Sequence, residues 1–221
     1  MIDRLSFWYA NYYWKGRGKL TIKDAKLNFV IEAAKKLFLE KGIASVTIKD
    51  FSTEIGVGEA TIYRYFSKKH NIVLAVAMKL EDEVYKQYFN FENEINGYEK
   101  ISAFYHSYLR IFDEHKDFYK FISEFDSYII SEDCLSLDDY EKGLMPFYRS
   151  FIESYNEGVK DKTIKEVEDI NSFYLSTTHS LLGLCKKLAS GDGILSQDVK
   201  SNKREEIKTL IDIIMYRLKN N

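Results

Sequence analysis

Apolar side chains recur every three or four positions along most of this 221-residue chain. That period is typical of helices with one apolar face, and no segment shows the strict alternation that predicts a β-strand. A single proline and 11 glycines favour long, uninterrupted helices. The pattern therefore predicts an all-α protein.

The boundaries of the predicted helices follow from caps and glycines. The first helix is expected to begin at the N-cap Thr21, with Asp24 as its capping-box partner, and to end near Lys41 before Gly42. Two short helices follow, and a fourth begins at Ser67 or Lys68. Four of the remaining predicted helices are Tyr98–Glu114, Asp117–Ile130, Asp139–Gly158 and Val199–Lys219. One more precedes the last of these: it starts at a Thr163 to Glu166 capping box or a few residues later, and it runs to Gly191.

The stretch from Thr47 to Lys69 carries the clearest functional signal. Thr47 and Asp50 have the spacing of a capping box, and Gly56 stands where a left-handed residue ends a helix. The next helix, from Gly58, turns its apolar residues inward and leaves polar or basic side chains near the surface: Thr61, Tyr63, Arg64 and Tyr65. Such a short helix is poorly explained by packing alone and suits a recognition helix in a DNA major groove.

Residues 30–69 read VIEAAKKLFLEKGIASVTIKDFSTEIGVGEATIYRYFSKK. This segment resembles the DNA-binding domain of TetR-family transcriptional repressors. The positions in step with the family pattern are Ala33-Ala34, Leu37-Phe38, Gly42, Thr47, Gly56-Val57, Thr61-Ile62-Tyr63, Tyr65-Phe66 and Lys69. The resemblance implies that Lys69 contacts a phosphate, and that the DNA-binding residues are Thr47, Gly58, Glu59, Ala60, Thr61, Tyr63, Arg64, Tyr65 and Lys69.

Two residues of the recognition helix depart from the family pattern. Gly58 stands where a Ser or Thr cap is usual, which weakens the cap. Glu59 stands where Lys or Arg is frequent. Its carboxylate has two interpretations: it accepts a hydrogen bond from cytosine N4, or it pairs with the dipole at the helix N-terminus.

The charge distribution agrees with a separate DNA-binding domain. The net charge is −2, but residues 1–70 hold 13 Lys and Arg against 7 Asp and Glu, while residues 71–221 hold 19 against 27. We therefore expect residues 21–70 to form a helix-turn-helix DNA-binding domain and residues 71–221 to form a larger helical domain.

Residues 1–20 form an unusual leader. Leu5, Trp8, Tyr9 and Tyr12 have the spacing of a short amphipathic helix. The leader can equally be a disordered tail or the product of a start codon assigned too far upstream. A third interpretation is a DNA-contacting arm, because the glycine-spaced basic residues Lys15, Arg17 and Lys19 suit a backbone or a minor groove.

The resemblance also implies roles for the second domain. In such repressors it encloses a small effector, and its last two helices form a four-helix bundle with a second subunit. The expected effector-binding residues are Tyr105, Tyr108, Phe112, Phe125, Phe147, Phe151, Phe173 and His179. The expected dimerisation residues are Thr177, Leu181, Leu184, Leu188, Ile207, Leu210, Ile211, Ile214 and Leu218.

Other classes of function find no support in the sequence. No apolar run is long enough for a membrane span, and no charged region leads into an apolar region with a cleavage site, so a cytoplasmic protein is expected. Cys134 and Cys185 lack metal-ligand or redox spacing. No catalytic motif, metal site or cofactor is expected.

We therefore expect a repressor that binds a palindromic operator as a homodimer and is released by a small, largely apolar effector. The alternative is a DNA-binding scaffold without an effector that acts through a protein partner.

Overall fold

The computed structural model describes residues 22–131, 137–191 and 201–220. In these ranges the chain forms nine α-helices and, apart from one antiparallel β-bridge between Ile164 and Lys219, no β-structure. The helices are α1 (Ile22–Lys41), α2 (Ile48–Ile55), α3 (Glu59–Phe66), α4 (Lys69–Tyr88), α5 (Gly97–Glu114), α6 (Lys116–Ile130), α7 (Asp138–Lys160), α8 (Ile170–Ala189) and α9 (Lys203–Leu218). The all-α prediction is confirmed.

Most helix boundaries lie within one or two residues of the predicted ones. The cap predicted at Thr21, the leader, Cys134 and the start predicted for the last helix fall outside the described residues. For α8 the later of the two expected starts is right, because Asp169 is its N-cap and accepts a hydrogen bond from the Ser172 backbone N–H at 3.0 Å.

Thr163 does not begin a helix because its hydroxyl is bonded to Asp161, two positions earlier, and to the backbone of the distant Tyr98. That hydroxyl donates to the Asp161 carboxylate at 2.6 Å and accepts from the Tyr98 backbone N–H at 3.1 Å. The residue therefore closes a turn after α7 and accepts a backbone N–H from the first turn of α5, whose N-cap is Asn96.

The described chain divides into two compact units. The first contains the residues up to Glu81 together with Phe121–Gly143, and the second contains Asp82–Lys120 and Leu144–Asn221. The helices α4, α6 and α7 contribute residues to both. In the first unit, α1 packs on α2 and α2 on α3.

A buried lysine ties α4 to α1 within the first unit. Lys79 has only 7% of its surface exposed, and its ammonium lies 2.7 Å from the Glu32 carboxylate and 3.3 Å from the Asn28 side-chain oxygen. A charge this deeply buried is tolerated because it is paired and hydrogen-bonded. The contact fixes the position of α4 against the helix that supports α2 and α3.

In the second unit, α5 packs against α8 and α9, and those two helices pack against each other. Aromatic rings fill the space around α5 and contact one another at tilted or edge-to-face angles. Phe104 lies 5.3 Å from Phe151, and Phe151 lies 5.0 Å from Tyr174, measured between ring centroids. Such pairs add to the stabilisation that burial alone gives.

Candidate nucleic-acid interface

A capping box begins α2, as the sequence predicts. The Thr47 hydroxyl oxygen accepts from the Asp50 backbone N–H at 3.2 Å, and the Asp50 carboxylate accepts from the Thr47 backbone N–H at 2.6 Å. Hydrogen bonds from the Thr47 hydroxyl and backbone hold the pKa of Asp50 below its usual value. The first turn of α2 is thus satisfied by its own side chains.

Gly56 ends α2 in the left-handed conformation, with φ of 64° and ψ of 29°. A Cβ on this residue would meet no atom within 4 Å, so a side chain would fit there. Glycine is favoured instead because other residues rarely adopt this backbone conformation. Gly58 is the N-cap of α3 and, having no side chain, provides no capping hydrogen bond. The turn between the two helices is therefore only three residues long.

The two faces of α3 differ as expected. Ile62 and Phe66 are buried against the first unit. Glu59, Ala60, Tyr63 and Arg64 are exposed, and Thr61 and Tyr65 are half-buried. The Arg64 guanidinium lies over the Tyr65 ring, 5.3 Å from its centroid. The structure thus brings these predicted contact residues onto one accessible helix.

A tight turn joins α3 to α4. Ser67 has φ of 63° and ψ of −47°, and the Lys68 backbone N–H donates to the Phe66 carbonyl at 2.6 Å. This geometry is that of a γ-turn, which is strained for a residue other than glycine. Only two residues, Ser67 and Lys68, therefore separate the end of α3 from the start of α4.

Lys69, the expected phosphate ligand, is the first residue of α4. Its ammonium donates to the Ile43 carbonyl at 2.5 Å and lies over the Tyr128 ring, 5.6 Å from its centroid. Burial lowers the pKa of Lys69, and the Asp50 carboxylate opposes part of that change. An ammonium has three N–H donors, so the bond to Ile43 leaves donors for a phosphate.

The predicted effector residues do not form one group. Phe125 belongs to the first unit, where its ring centroid lies 5.1 Å from that of Tyr140. In the second unit Phe112, Phe147 and Phe151 are buried, Tyr108 and Phe173 are half-buried, and His179 is exposed. None of these residues lines either of two surface pockets, of about 420 and 460 Å³, that lie beside the α4–α5 connection.

Tyr105, a predicted effector residue, makes a polar contact with Thr177. Its side chain is fully buried, and its hydroxyl lies 2.7 Å from that of Thr177. The Thr177 hydroxyl donates to the Phe173 carbonyl, so the Tyr105 hydroxyl is the donor between the two. Burial raises the pKa of Tyr105.

Most of the predicted dimerisation residues pack inside the protomer. Leu181, Leu188, Ile207, Ile211, Ile214 and Leu218 are buried within the second unit and offer little surface to a partner. Thr177, Leu184 and Leu210 stay partly accessible. The large apolar side chains that α8 and α9 expose are ones the sequence did not single out: Leu175, Ile213 and Tyr216.

Two contacts from α6, one to the segment between α1 and α2 and one to the start of α4, were also missed. Glu124 accepts a hydrogen bond from Ile43, and Tyr128 lies under Lys69. Nothing local in the sequence signals these pairs, which are separated by 81 and 59 positions.

Among the described residues, no group of three or more His, Cys, Asp or Glu side chains is arranged to hold a metal ion. No helix in the described ranges is long and apolar enough to cross a membrane.

Residues 30–76 match the profile of a family described as bacterial regulatory proteins, tetR family, which confirms the resemblance found in the sequence. No curated protein has a significantly similar sequence. Solved structures do match the fold. A transcriptional regulator from Cytophaga hutchinsonii aligns with a TM-score of 0.62 at 19% identity, over 89% of this chain and 100% of its own.

Two further structures align in the same way. The TetR-family transcriptional regulator PfmR from Thermus thermophilus has a TM-score of 0.55 at 19% identity, over 85% of this chain and 97% of its own. A TetR/AcrR-family regulator from Thermobifida fusca has a TM-score of 0.58 at 19% identity, over 86% and 97%. At these identities the alignments establish the fold.

Proposed function

We propose that this chain, which belongs to the TetR family of transcriptional regulators, is a repressor that binds a palindromic operator as a homodimer and is released by a small, largely apolar effector. Regulators of this family are DNA-binding transcription factors and not enzymes. The observation that carries the proposal is the short helix α3, which exposes Tyr63 and Arg64 while Ile62 and Phe66 anchor it.

The proposed DNA contacts divide by chemistry. Hydroxyls and an ammonium that bind phosphates set the register on a duplex, and the residues proposed for this role are Thr47, Thr61, Tyr65 and Lys69. The remaining proposed contacts lie along α3 and face base edges in the major groove: Gly58, Glu59, Ala60, Tyr63 and Arg64. A regulator with this role works in the cytoplasm, where it meets duplex DNA.

A dimer follows from the size of the reading surface. One recognition helix reads only a few base pairs, and two held about 34 Å apart read both halves of a palindrome. The accessible faces of α8 and α9 support this pairing. Ile213 is 62% exposed and Tyr216 is 84% exposed on α9, beside the partly accessible Leu210.

The proposed release mechanism is a population shift. An effector that prefers another position of α4 favours a state in which the two recognition helices are out of register. It can shift the equilibrium between the two states only by the ratio of its affinities for them. Operator DNA must then weaken effector binding by the same factor by which effector weakens DNA binding. The aromatic side chains around Tyr105 give the apolar lining and the polar anchor that such a ligand needs.

A scaffold without an effector is the second candidate. The observation that favours it is the close packing of Tyr105, Phe104 and Phe151, whose ring centroids lie 5.3 to 6.1 Å apart. A core filled by its own rings leaves no room for a ligand until it opens.

Selection of bound duplexes from a random pool tests the proposal directly. The full chain should return a palindrome whose half-sites lie one helical turn apart, and sedimentation should give the mass of a dimer. Failure to retain any duplex at low salt would overturn the proposal. A small molecule that reduces operator affinity, and whose own affinity falls by the same factor with DNA, would separate the repressor from the scaffold.

A further inference from the structure

The backbone of Ile43 is bound on both sides by charged side chains from distant helices. Its N–H donates to the Glu124 carboxylate of α6 at 2.6 Å, and its C=O accepts from the Lys69 ammonium of α4 at 2.5 Å. We call these three residues the Ile43 clamp. All of them lie in the first unit.

The sequence around Ile43 makes room for the clamp. Gly42 ends α1 with φ of 80°, and its N–H donates to the Phe38 carbonyl at 2.9 Å. A Cβ on Gly42 would lie 3.0 Å from the nearer Glu124 carboxylate oxygen. Glycine therefore permits both the turn and the approach of the carboxylate.

The clamp holds the segment that sets the position of α2. This segment runs from Gly42 to the N-cap Thr47, and it buries Ile43 and Val46. Because α2 packs on α1 and α3 packs on α2, a shift of the segment moves the recognition helix as well. Hydrogen bonds that use a charged partner are stronger than neutral ones, so the clamp resists such a shift.

We propose that Glu124 is a positioning residue for DNA binding, which acts through the Ile43 N–H and not by contact with DNA. This inference rests on the proposed function. It identifies α6, outside residues 30–76, as an element that determines operator affinity.

A role of Glu124 through its charge and a role through its hydrogen bond predict opposite changes in DNA affinity when the residue is substituted. A carboxylate in a DNA-binding unit repels phosphates, so its removal should strengthen binding if charge were its only effect. A positioning residue should instead weaken binding when its hydrogen bond is lost, whatever happens to its charge. Two conservative substitutions separate the effects.

Glu124→Gln removes the charge but keeps an oxygen that accepts from the Ile43 N–H. Glu124→Asp keeps the charge but shortens the side chain by one carbon. We expect the Asp variant to bind the selected operator about tenfold more weakly, and the Gln variant within about threefold of the original chain. The salt dependence should stay the same in both, because no phosphate contact is removed.

Glu40→Gln is the matched control, since Glu40 is an exposed carboxylate of α1 only three positions before Ile43. It should leave operator affinity within about twofold or raise it slightly. Hydrogen exchange of the Ile43 amide reports the bond itself, and it should accelerate in the Asp variant and not in the control.

The proposal is overturned if the Asp variant binds like the original chain, or if the Gln variant weakens as much as the Asp variant. It is also overturned if Ile43 exchange accelerates while operator affinity stays constant, since the bond would then serve stability alone. If the original chain selects no duplex, the proposed function fails. If it selects an operator and the Asp variant binds equally well, only the role of Glu124 fails.

Discussion

Gly97 and Gly158 lie backbone to backbone in the second unit, so that a Cβ on Gly97 would stand 2.0 Å from the Gly158 nitrogen. This contact joins the first residue of α5 to the end of α7. The Asp161 carboxylate completes it by accepting from the Gly97 N–H at 2.9 Å, and that hydrogen bond is the main cause of the lowered pKa of Asp161. The two helices thus approach more closely than any side chain allows.

Gly97→Ala should therefore destabilise the protein strongly. The methyl group meets backbone atoms that cannot rotate away, and we expect a loss of about 3 kcal/mol or more in the free energy of unfolding. Gly143→Ala, in α7, is the control because its Cβ would meet no atom within 4 Å. It should stabilise the protein by about 0.5–1 kcal/mol. Urea unfolding measures both, and equal effects would contradict the close approach.

Glu81 predicts a pH dependence of stability in the first unit. Burial raises the pKa of its carboxyl from 4.5 to about 7, the nearby Asp126 carboxylate adds to the rise, and a 3.4 Å hydrogen bond from the Tyr140 hydroxyl opposes it. Because the folded state holds this proton more tightly than the unfolded state, Glu81 contributes most stability below about pH 4.5. That contribution is lost as the pH rises toward 7.

Glu81→Gln should remove this dependence. The difference in unfolding free energy, Gln variant minus original chain, should increase by about 2–3 kcal/mol between pH 4 and pH 8, because glutamine does not ionise. Unfolding in urea at several pH values measures the difference. Glu141→Gln, which changes an exposed carboxyl of the same unit, should show no such growth. An advantage that shrinks as the pH rises would contradict the raised pKa of Glu81.

Ile213→Glu tests the proposed dimer surface. Ile213 is 62% exposed on α9, so the substitution should leave the folded protomer intact and place a charge in the interface. Sedimentation should show a dissociation constant raised by about a hundredfold. Ile95→Glu is the matched control, because Ile95 is 86% exposed on the α4–α5 connection. Equal weakening by both variants would count against this face of α9.

The sequence was most informative where local rules apply. The Thr47 capping box, the left-handed Gly56 and the inward Ile62 and Phe66 depend on near neighbours, and the structure has all of them. The start of α8 was ambiguous, because the Thr163 box is locally a good cap. A partner 65 positions away, the Tyr98 backbone, takes the threonine hydroxyl instead.

The faces of α8 and α9 could not be assigned for a related reason. Periodicity shows which residues share a face, but it does not say whether that face meets the same protomer or a second one. Ile207 and Ile211 turned out to be core residues, while Ile213 and Tyr216 are exposed. The contact between Glu124 and Ile43 could not be predicted either, because it depends on how α6 packs against the segment that follows α1.

Glu59 provides the sharpest test of DNA recognition. It is exposed on α3, the proposed recognition helix, and among the described residues no side chain pairs with it. An unpaired carboxylate between two rows of phosphates is unfavourable unless a base donates to it, and cytosine N4 is the donor that suits it best.

Glu59→Gln should therefore change the preferred base at one position of each half-site from cytosine to adenine, because glutamine pairs with adenine N6 and N7. The change in preference should amount to about 1–3 kcal/mol at that position and leave the others as they were. Selection from a random pool measures it. Thr61→Ala and Tyr65→Ala are the comparison, since loss of a phosphate contact weakens binding to all sequences alike. If the Gln variant keeps the original preference and only α3 loses stability, then Glu59 serves the helix dipole and does not read a base.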